Sequence, residues 1–395
     1  MTVKRLDLDF TEQPPIPPEG VARANELMAS GRLFRYGETG SQELDVAKLE
    51  RDFAALAGTR FCVALNSCGA SLAVALKAVG VTHGDPVLMN AFTLAPVPGA
   101  IAHVGAEPVL VGVTDEYLID IDDLASAAQR SGARFLMLSH MRGHIADLHR
   151  VMEVANHFDI TVIEDCAHTM GADWDGQPTG TFGAVGCFST QTFKHINSGE
   201  GGLLITDDED AAARAVLYSG SYMLYGQHGA APDESVFQRH RLQTPNFSMR
   251  MSALAAAVAR PQLALLTERA AMWNARYADL ARLLGEDPRI VIPDRDAREG
   301  FVASSLQFSV PSLSSTQIDT WLQQAGEYGV HVKWFGRKEP VGFTSRYDHW
   351  RYAGKQHLAG TQSVLASLCD IRLPLSMTPD HCVTIADVLI GTLPR

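Results

Sequence analysis

Between residues 61 and 206, seven short and almost continuously apolar runs recur: 61–65, 85–89, 107–113, 134–139, 161–165, 185–189 and 202–206. Helix-like stretches at 71–79, 121–131 and 148–158 separate several of them. The runs lack the apolar–polar alternation of a half-exposed strand, which suits strands buried on both faces. The pattern therefore predicts an α/β fold, a parallel sheet covered by helices. In such sheets ligands bind where the strands end at their carboxyl side, so the residues just after each run are the ones to inspect.

The flanking regions read differently. An irregular Pro-rich segment (Pro14, Pro15, Pro17, Pro18) precedes a short helix at 19–30, a loop at 31–40 and a helix at 45–57 that stops at Gly58. Residues 219–245 have little periodicity and read as a long functional loop. A helix at 252–284, interrupted at Pro261, leads to strand-like 305–310, helix 316–327, strand 330–334, a helix near 356–367, strand 372–375 and helix 380–389. A chain of 395 residues exceeds one typical core. The expected division is a large domain at 1–260 and a smaller C-terminal α/β domain at 261–395.

Charge and cysteine content narrow the function. A formal net charge of −12 argues against nucleic-acid or anionic-membrane partners, while leaving room for a local basic pocket. No apolar run is long enough to span a bilayer, and the first residues lack the apolar core of a signal peptide. The six cysteines form no C-x-x-C pair and several fall in apolar runs, which suits buried, reduced thiols and a cytoplasmic protein.

Three places carry chemistry. Lys194 lies near Phe193 and Ile196, ahead of Gly199, Gly201 and Gly202. A partly buried amine there would be shifted toward its neutral, nucleophilic form. Taken alone, a Lys on a Gly-rich turn is the ordinary alternative. Asn66-Ser67-Cys68-Gly69-Ala70-Ser71 opens a helix and offers free N–H groups to a phosphate, although Ser67 is first of all an N-cap. Asp165 ends an apolar strand, where a carboxylate needs a cationic partner, and His168 follows it; an Asp capping the next turn is the alternative. With Ser189, these parts together match pyridoxal phosphate: Asp165 for a protonated ring nitrogen, Lys194 for the aldehyde carbon. No G-x-G-x-x-G, P-loop or H-E-x-x-H supports another cofactor. His140, His144 and His149 lack a matching acidic or thiol cluster and read as turn or surface residues, so no metal site is expected.

These residues resemble the DegT/DnrJ/EryC1/StrS family of PLP-dependent sugar and cyclitol aminotransferases. The similarity runs from the 31–37 loop to Arg372-Leu373-Pro374-Leu375. It is most specific in Glu164-Asp165-Cys166-Ala167-His168, in Lys194 with Ser198-Gly199-Glu200-Gly201-Gly202, and in Arg250-Met251-Ser252. The resemblance implies the aspartate-aminotransferase type of fold (PLP-dependent transferase fold type I), with a mainly parallel seven-stranded sheet and a smaller C-terminal domain. It also implies a homodimer with shared active sites. Lys194 would hold the coenzyme as an internal aldimine, Asp165 would pair with the pyridine nitrogen, and His168 would bind the phenolic oxygen or cover the ring. Ser189 and the Cys68-Gly69 backbone would bind the phosphate.

The chain also departs from that family's pattern. Ser248 stands where an Asn usually reaches across the dimer, and Asn246 is the available substitute. Leu94 follows Thr93 where a stacking aromatic is usual, and Phe92 would replace it only if the loop shifts. Arg142 replaces a common Tyr and would either pair with a carboxylate or phosphate or lie on the surface. A family branch that removes a hydroxyl carries His in place of the Lys; this chain keeps Lys194, with His195 as a local hydrogen-bonding residue. The expected reaction moves an amino group from glutamate or glutamine to a keto-sugar, often nucleotide-linked, or to a ketocyclitol. The alternatives are another PLP reaction on the same fold, such as dehydration or elimination, or a non-enzymatic PLP-binding regulator. Trp334, Arg337, Lys338, Arg346, Tyr347 and Trp350 would suit an aromatic or phosphorylated ligand, or else ordinary packing and solvated charge.

Overall fold

The computed structural model describes residues 4–36, 44–341 and 346–394; the end of the expected 31–40 loop lies outside them. Helices α1 (Pro18–Ser30) and α2 (Asp45–Ala57) precede β1 (Phe61–Leu65), α3 (Cys68–Ala78), β2 (Pro86–Asn90), α4 (Pro96–His103) and β3 (Glu107–Val111). Then come α5 (Ile121–Ser131), β4 (Phe135–Ser139), α6 (Leu148–His157) and β5 (Thr161–Asp165). The short strands β6 (Asp173–Trp174) and β7 (Gln177–Pro178) are followed by β8 (Val185–Ser189) and β9 (Gly202–Thr206).

The central sheet has seven strands in the order β1-β9-β8-β5-β4-β2-β3. Pairings among β2, β3, β4, β5 and β8 are parallel, but β9 runs antiparallel to both β8 and β1. The physical reason is the connection: residues 190–201 hold no helix, and a crossover to a parallel strand needs one. The near-continuous apolar runs are explained by burial on both faces. Val87, Met89, Met137 and Ile163 join a core with α3 and α4, whereas Leu88, Leu136, Leu138 and Val162 face α5 and α6.

Beyond the sheet lie α7 (Glu209–Ser219), α8 (Glu234–His240), α9 (Ala253–Ala259) and α10 (Leu266–Leu284), and a two-residue strand β10 (Glu299–Gly300) pairs with β6. The break expected at Pro261 is a 3-10 segment between α9 and α10. A second sheet, β11 (Ser305–Ser309), β12 (Lys333–Trp334) and β13 (Leu368–Arg372), has the antiparallel order β11-β13-β12. It packs with α11 (Ser315–Glu327), α12 (Ala359–Ser367) and α13 (Pro379–Thr392). One apolar cluster runs from α5 and α6 through this second sheet to α13, and Leu6 joins it through a hydrogen bond to the Tyr328 carbonyl.

Several sequence-based boundaries are corrected. The strand expected at 372–375 is β13, four residues earlier, because Pro374 has no N–H for a ladder. The 330–334 strand contracts to β12. The 219–245 segment is not all loop: Asp233 caps α8, which buries Val236 and Phe237. Helices α4 and α7 were not expected; Pro96 and Pro98 in α4 obscure its period but sit in its first turn, where missing N–H groups are harmless. All six cysteines are free, and five are buried. Among the described residues no helix is long and apolar enough to cross a membrane.

Candidate active site

The site is assembled at the carboxyl ends of β4, β5 and β8. Parallel register sets Ser139 of β4 beside Asp165 of β5. The Ser139 hydroxyl donates to Asp165 Oδ2 at 2.8 Å, the Ala167 N–H donates to Oδ1 at 3.1 Å, and the Thr93 hydroxyl donates to Ser139 Oγ at 2.7 Å. Asn90 fixes Ser139 in turn, giving a hydrogen bond to its carbonyl (2.6 Å) and taking one from its N–H (2.9 Å). Burial pushes the Asp165 carboxyl above its ordinary range, against the pull of these donors. Asp165 is thus a buried acid with oriented oxygens that a cation would stabilise.

The neighbouring Glu164 points to the other face and is spent on structure. Its oxygens accept the N–H groups of Gly180, Phe182 and Gly183, and His140 Nε2 lies 3.0 Å away. His140, Glu164 and Cys166 do converge, with ligand atoms within 4.8 Å of one another, but these hydrogen bonds already occupy the carboxylate. The histidine reading is corrected here. His140 and His144 are buried rather than superficial, and His144 Nε2 contacts Gln307 Oε1 at 2.8 Å; only His149 is exposed.

Lys194 lies in the loop between β8 and β9. Thr190 N–H donates to Gly201 O (3.0 Å), Ser198 N–H to Thr190 O (2.8 Å) and Lys194 N–H to Gln191 O (2.9 Å). At Gly202 a Cβ would overlap the Ser67 carbonyl, so only glycine lets this loop close onto the start of α3. Lys194 Nζ is 2.9 Å from His168 Nε2. Burial, then the positive charge of Arg142, lower the Lys194 amine to about 8, although Asp165 pulls the other way. His168 is buried and held well below its usual range, so it faces the amine as a neutral ring. His195 does not make the expected hydrogen bonds. Its ring packs edge-on to Trp273 at 5.1 Å, burial lowers it to about 3, and neither nitrogen has a partner among the described residues.

Cys68 and Gly69 open α3, where Ser67 Oγ accepts the Ala70 N–H at 3.0 Å. The nearest atom to a Cβ at Gly69 would be 3.9 Å away, which leaves open space beside the first N–H groups of the helix. Burial and the nearby Asp165 keep the Cys68 thiol protonated. Ser189 is buried, its Oγ accepting the Gln191 N–H at 3.3 Å. Asp165, His168, Ser189, Lys194 and the Cys68-Gly69 turn therefore share one region, with Asp165 and Lys194 acting on each other electrostatically.

Phe92 and Asn246 are engaged in packing and in local hydrogen bonds. Phe92 is fully buried, edge-on to Phe335 (5.0 Å) and near Tyr117 (6.4 Å), so it belongs to the core; Leu94 is partly buried against the same cluster. The Asn246 amide donates to the Leu217 and Gly220 carbonyls (2.7 and 2.8 Å), and its oxygen accepts from Ser248 Oγ (2.9 Å). Ser248 is exposed in a left-handed conformation, φ +54°. Arg142 is neither superficial nor free, with Nη2 2.9 Å from Asp370 Oδ2. Trp334, Tyr347 and Trp350 are buried, Arg337 pairs with Asp319 and Arg346 with Asp348, which is ordinary packing and pairing. Sequence reading missed Asn90, Thr93, Ser139 and Asp370 as parts of this site.

The geometry agrees with what the chain resembles. A profile of the DegT/DnrJ/EryC1/StrS aminotransferase family matches residues 17–389. The spore coat polysaccharide biosynthesis protein SpsC of Bacillus subtilis is 31% identical over 65% of this chain and 64% of its own. The L-glutamine:scyllo-inosose aminotransferase of Streptomyces griseus is 40% identical over 48% of this chain and 45% of its own. The match thus spans about half to two thirds of these curated relatives. The crystal structure of an aminotransferase from Psychrobacter cryohalolentis superposes with a TM-score of 0.82 at 19% identity, covering 97% of this chain and 98% of its own. The chain belongs to the DegT/DnrJ/EryC1/StrS aminotransferase family.

Proposed function

We propose that this protein is a pyridoxal-phosphate-dependent aminotransferase that moves the amino group of glutamine or glutamate to a keto-sugar or ketocyclitol. The observation that carries the reading is the pair formed by a half-buried Lys194, lowered to about 8 beside neutral His168, and the buried Asp165. The coenzyme, when bound, supplies an aldehyde and an electron-accepting pyridine ring. Asp165, oriented by Ser139 and Ala167, would keep a proton on the ring nitrogen. Lys194 has the basicity to take a proton from a donor carbon and return it on the other side, and His168 holds its Nζ in place. Ser189 and the free N–H groups at Cys68 and Gly69 would bind the phosphate. The glutamine:inosose aminotransferase among the relatives supports the donor and the cyclitol class of acceptor, and SpsC supports a polysaccharide-sugar alternative.

We further infer a cytoplasmic homodimer with domains meeting near residue 260. Exposed Phe34, Tyr222, Met223 and Phe247 support the dimer. The test of the central reading is Lys194→Ala. This variant should lose the absorbance of the lysine-bound coenzyme and at least about 10³-fold in amine transfer, because both the covalent anchor and the proton carrier are gone. Turnover at the normal rate would overturn it.

A further inference from the structure

The second sheet turns a charged face toward Lys194. Asp370 and Arg372 are two residues apart on β13 and so share one face. Lys333 on β12 and Gln307 on β11 are the cross-strand partners of Asp370, and Ser305 is the partner of Arg372. Gln307 Nε2 donates to Asp370 Oδ1 (2.6 Å) and to Ser305 Oγ (2.8 Å), which ties that face together. Arg142, from the turn after β4, reaches it and pairs with Asp370 Oδ2 at 2.9 Å. The Arg372 guanidinium stacks over the ring of Phe193 at 4.1 Å, one residue from the candidate nucleophile.

Two guanidinium groups, Arg142 and Arg372, thus gather beside Asp370, whose two oxygens are already engaged by Gln307 and Arg142. Arg372 has no carboxylate within ion-pair distance among the described residues, and Arg142 Nε is buried without a hydrogen-bond partner among them. Burial and Arg142 together press the Arg372 guanidinium below its ordinary value, as expected of a cation short of counter-charge. A neutral polyol beside this face would leave that charge uncompensated, whereas a carboxylate would accept paired hydrogen bonds from a planar guanidinium.

We propose that Arg372 and Arg142 form a carboxylate-binding subsite for the ketone acceptor, so that the acceptor is a cyclic ketone or keto-sugar bearing a carboxylate. This rests on the aminotransferase reading and narrows its acceptor. Donor and acceptor occupy the same space in turn, so the donor's carboxylate is the competing source of the same chemistry.

The test uses full-length protein reconstituted with pyridoxamine phosphate, titrated calorimetrically with 3-oxocyclohexane-1-carboxylate and with its uncharged carboxamide. The acid should bind at least about tenfold tighter than the amide, and the ratio should fall to within about threefold in Arg372→Gln. Arg372 carries the test because it holds no ion pair that the fold depends on; Arg142→Gln, which also strands Asp370, is the second variant. Equal affinity for acid and amide, or binding of neither, overturns the proposal. A second arm follows amine transfer from glutamine to protein loaded with pyridoxal phosphate. If Arg372→Gln slows that step more than tenfold yet leaves the acid-to-amide ratio intact, the cations serve the donor and the proposal falls. Wild-type protein that takes an amino group from no donor would instead defeat the aminotransferase reading, and the calorimetric ratio would still judge the subsite.

Discussion

Lys194 and Asp165 are displaced by the same force in opposite senses. Burial disfavours charge on both, lowering the amine to about 8 from its usual 10.5 and raising the acid. Only the free amine attacks an aldehyde, so coenzyme uptake by the apoprotein should rise with pH to a plateau above about 8. Below that midpoint it should fall about tenfold per pH unit. Arg372 adds to the lowering, so Arg372→Gln should move the midpoint upward, as followed by stopped-flow absorbance of the bound coenzyme. A rate flat between pH 7 and 9 would contradict this. The sign for stability is consistent: the unfolded chain keeps the lysine proton up to about 10.5, so the folded form gains from this group as pH rises from about 8 to 10.5. Lys194, Asp165 and His168 were legible because each sits in a short contiguous motif. Ser139 was not, since a serine is chemically generic and meets Asp165 only through the register of two parallel strands. Phe92 misled because its direction depends on a loop whose course sequence spacing does not determine; in the structure it turns into the core.

At the scale of elements, the loop from β8 to β9 does the positioning. It returns antiparallel within residues 190–201 and brings Gly202 against the Ser67 carbonyl, so Lys194 and the start of α3 are held by one backbone contact. Gly202→Ala should force these two backbones apart and destabilise the protein by about 1–3 kcal/mol. Coenzyme affinity should fall with it; calorimetric melting of the apo and loaded forms measures both. An unchanged melting temperature in both forms would remove the contact from the argument. The strands Phe61–Leu65, Thr161–Asp165, Val185–Ser189 and Gly202–Thr206 were readable to the residue because each is buried on both faces and so carries apolar residues without alternation, with polar residues confined to its ends. Helix α8 was not, since seven residues with only Val236 and Phe237 buried are too short to reveal a period. The strand β13 was displaced because Cys369, Asp370 and Arg372 look unlike a strand until Asp370 and Arg372 are seen to face the site.

For the whole molecule, the unusual feature is exposed apolar area on segments that are firmly anchored. Arg35 and Glu50 form a fully buried bidentate pair (2.9 and 2.6 Å), and Glu50 also accepts the Ala64 N–H at 2.7 Å. His228 lies 3.2 Å from that carboxylate and 3.0 Å from the Tyr36 hydroxyl, so the segment before residue 37 is locked to the 219–245 segment. Breaking such a buried pair is expensive, so these segments are rigid in this arrangement. Yet they present Phe34 at 48%, Tyr222 and Met223 at 72% each, and nearby Phe247 at 42% exposure. Arg250 links them, with its guanidinium over Phe34 (5.6 Å) and Nη1 donating to Gly220 O (2.8 Å). A rigid apolar surface of this kind is what a two-fold interface buries. Wild-type protein should therefore show twice the 42.8 kDa chain mass by light scattering in solution. A Phe34→Asp, Met223→Asp double variant should move toward the single-chain mass without loss of secondary structure, because neither side chain is in the core. Under the proposal of a homodimer with shared active sites, it should lose amine transfer in parallel. Monomeric wild-type protein with full activity would defeat this reading, whereas a monomeric double variant that stays active would separate assembly from catalysis.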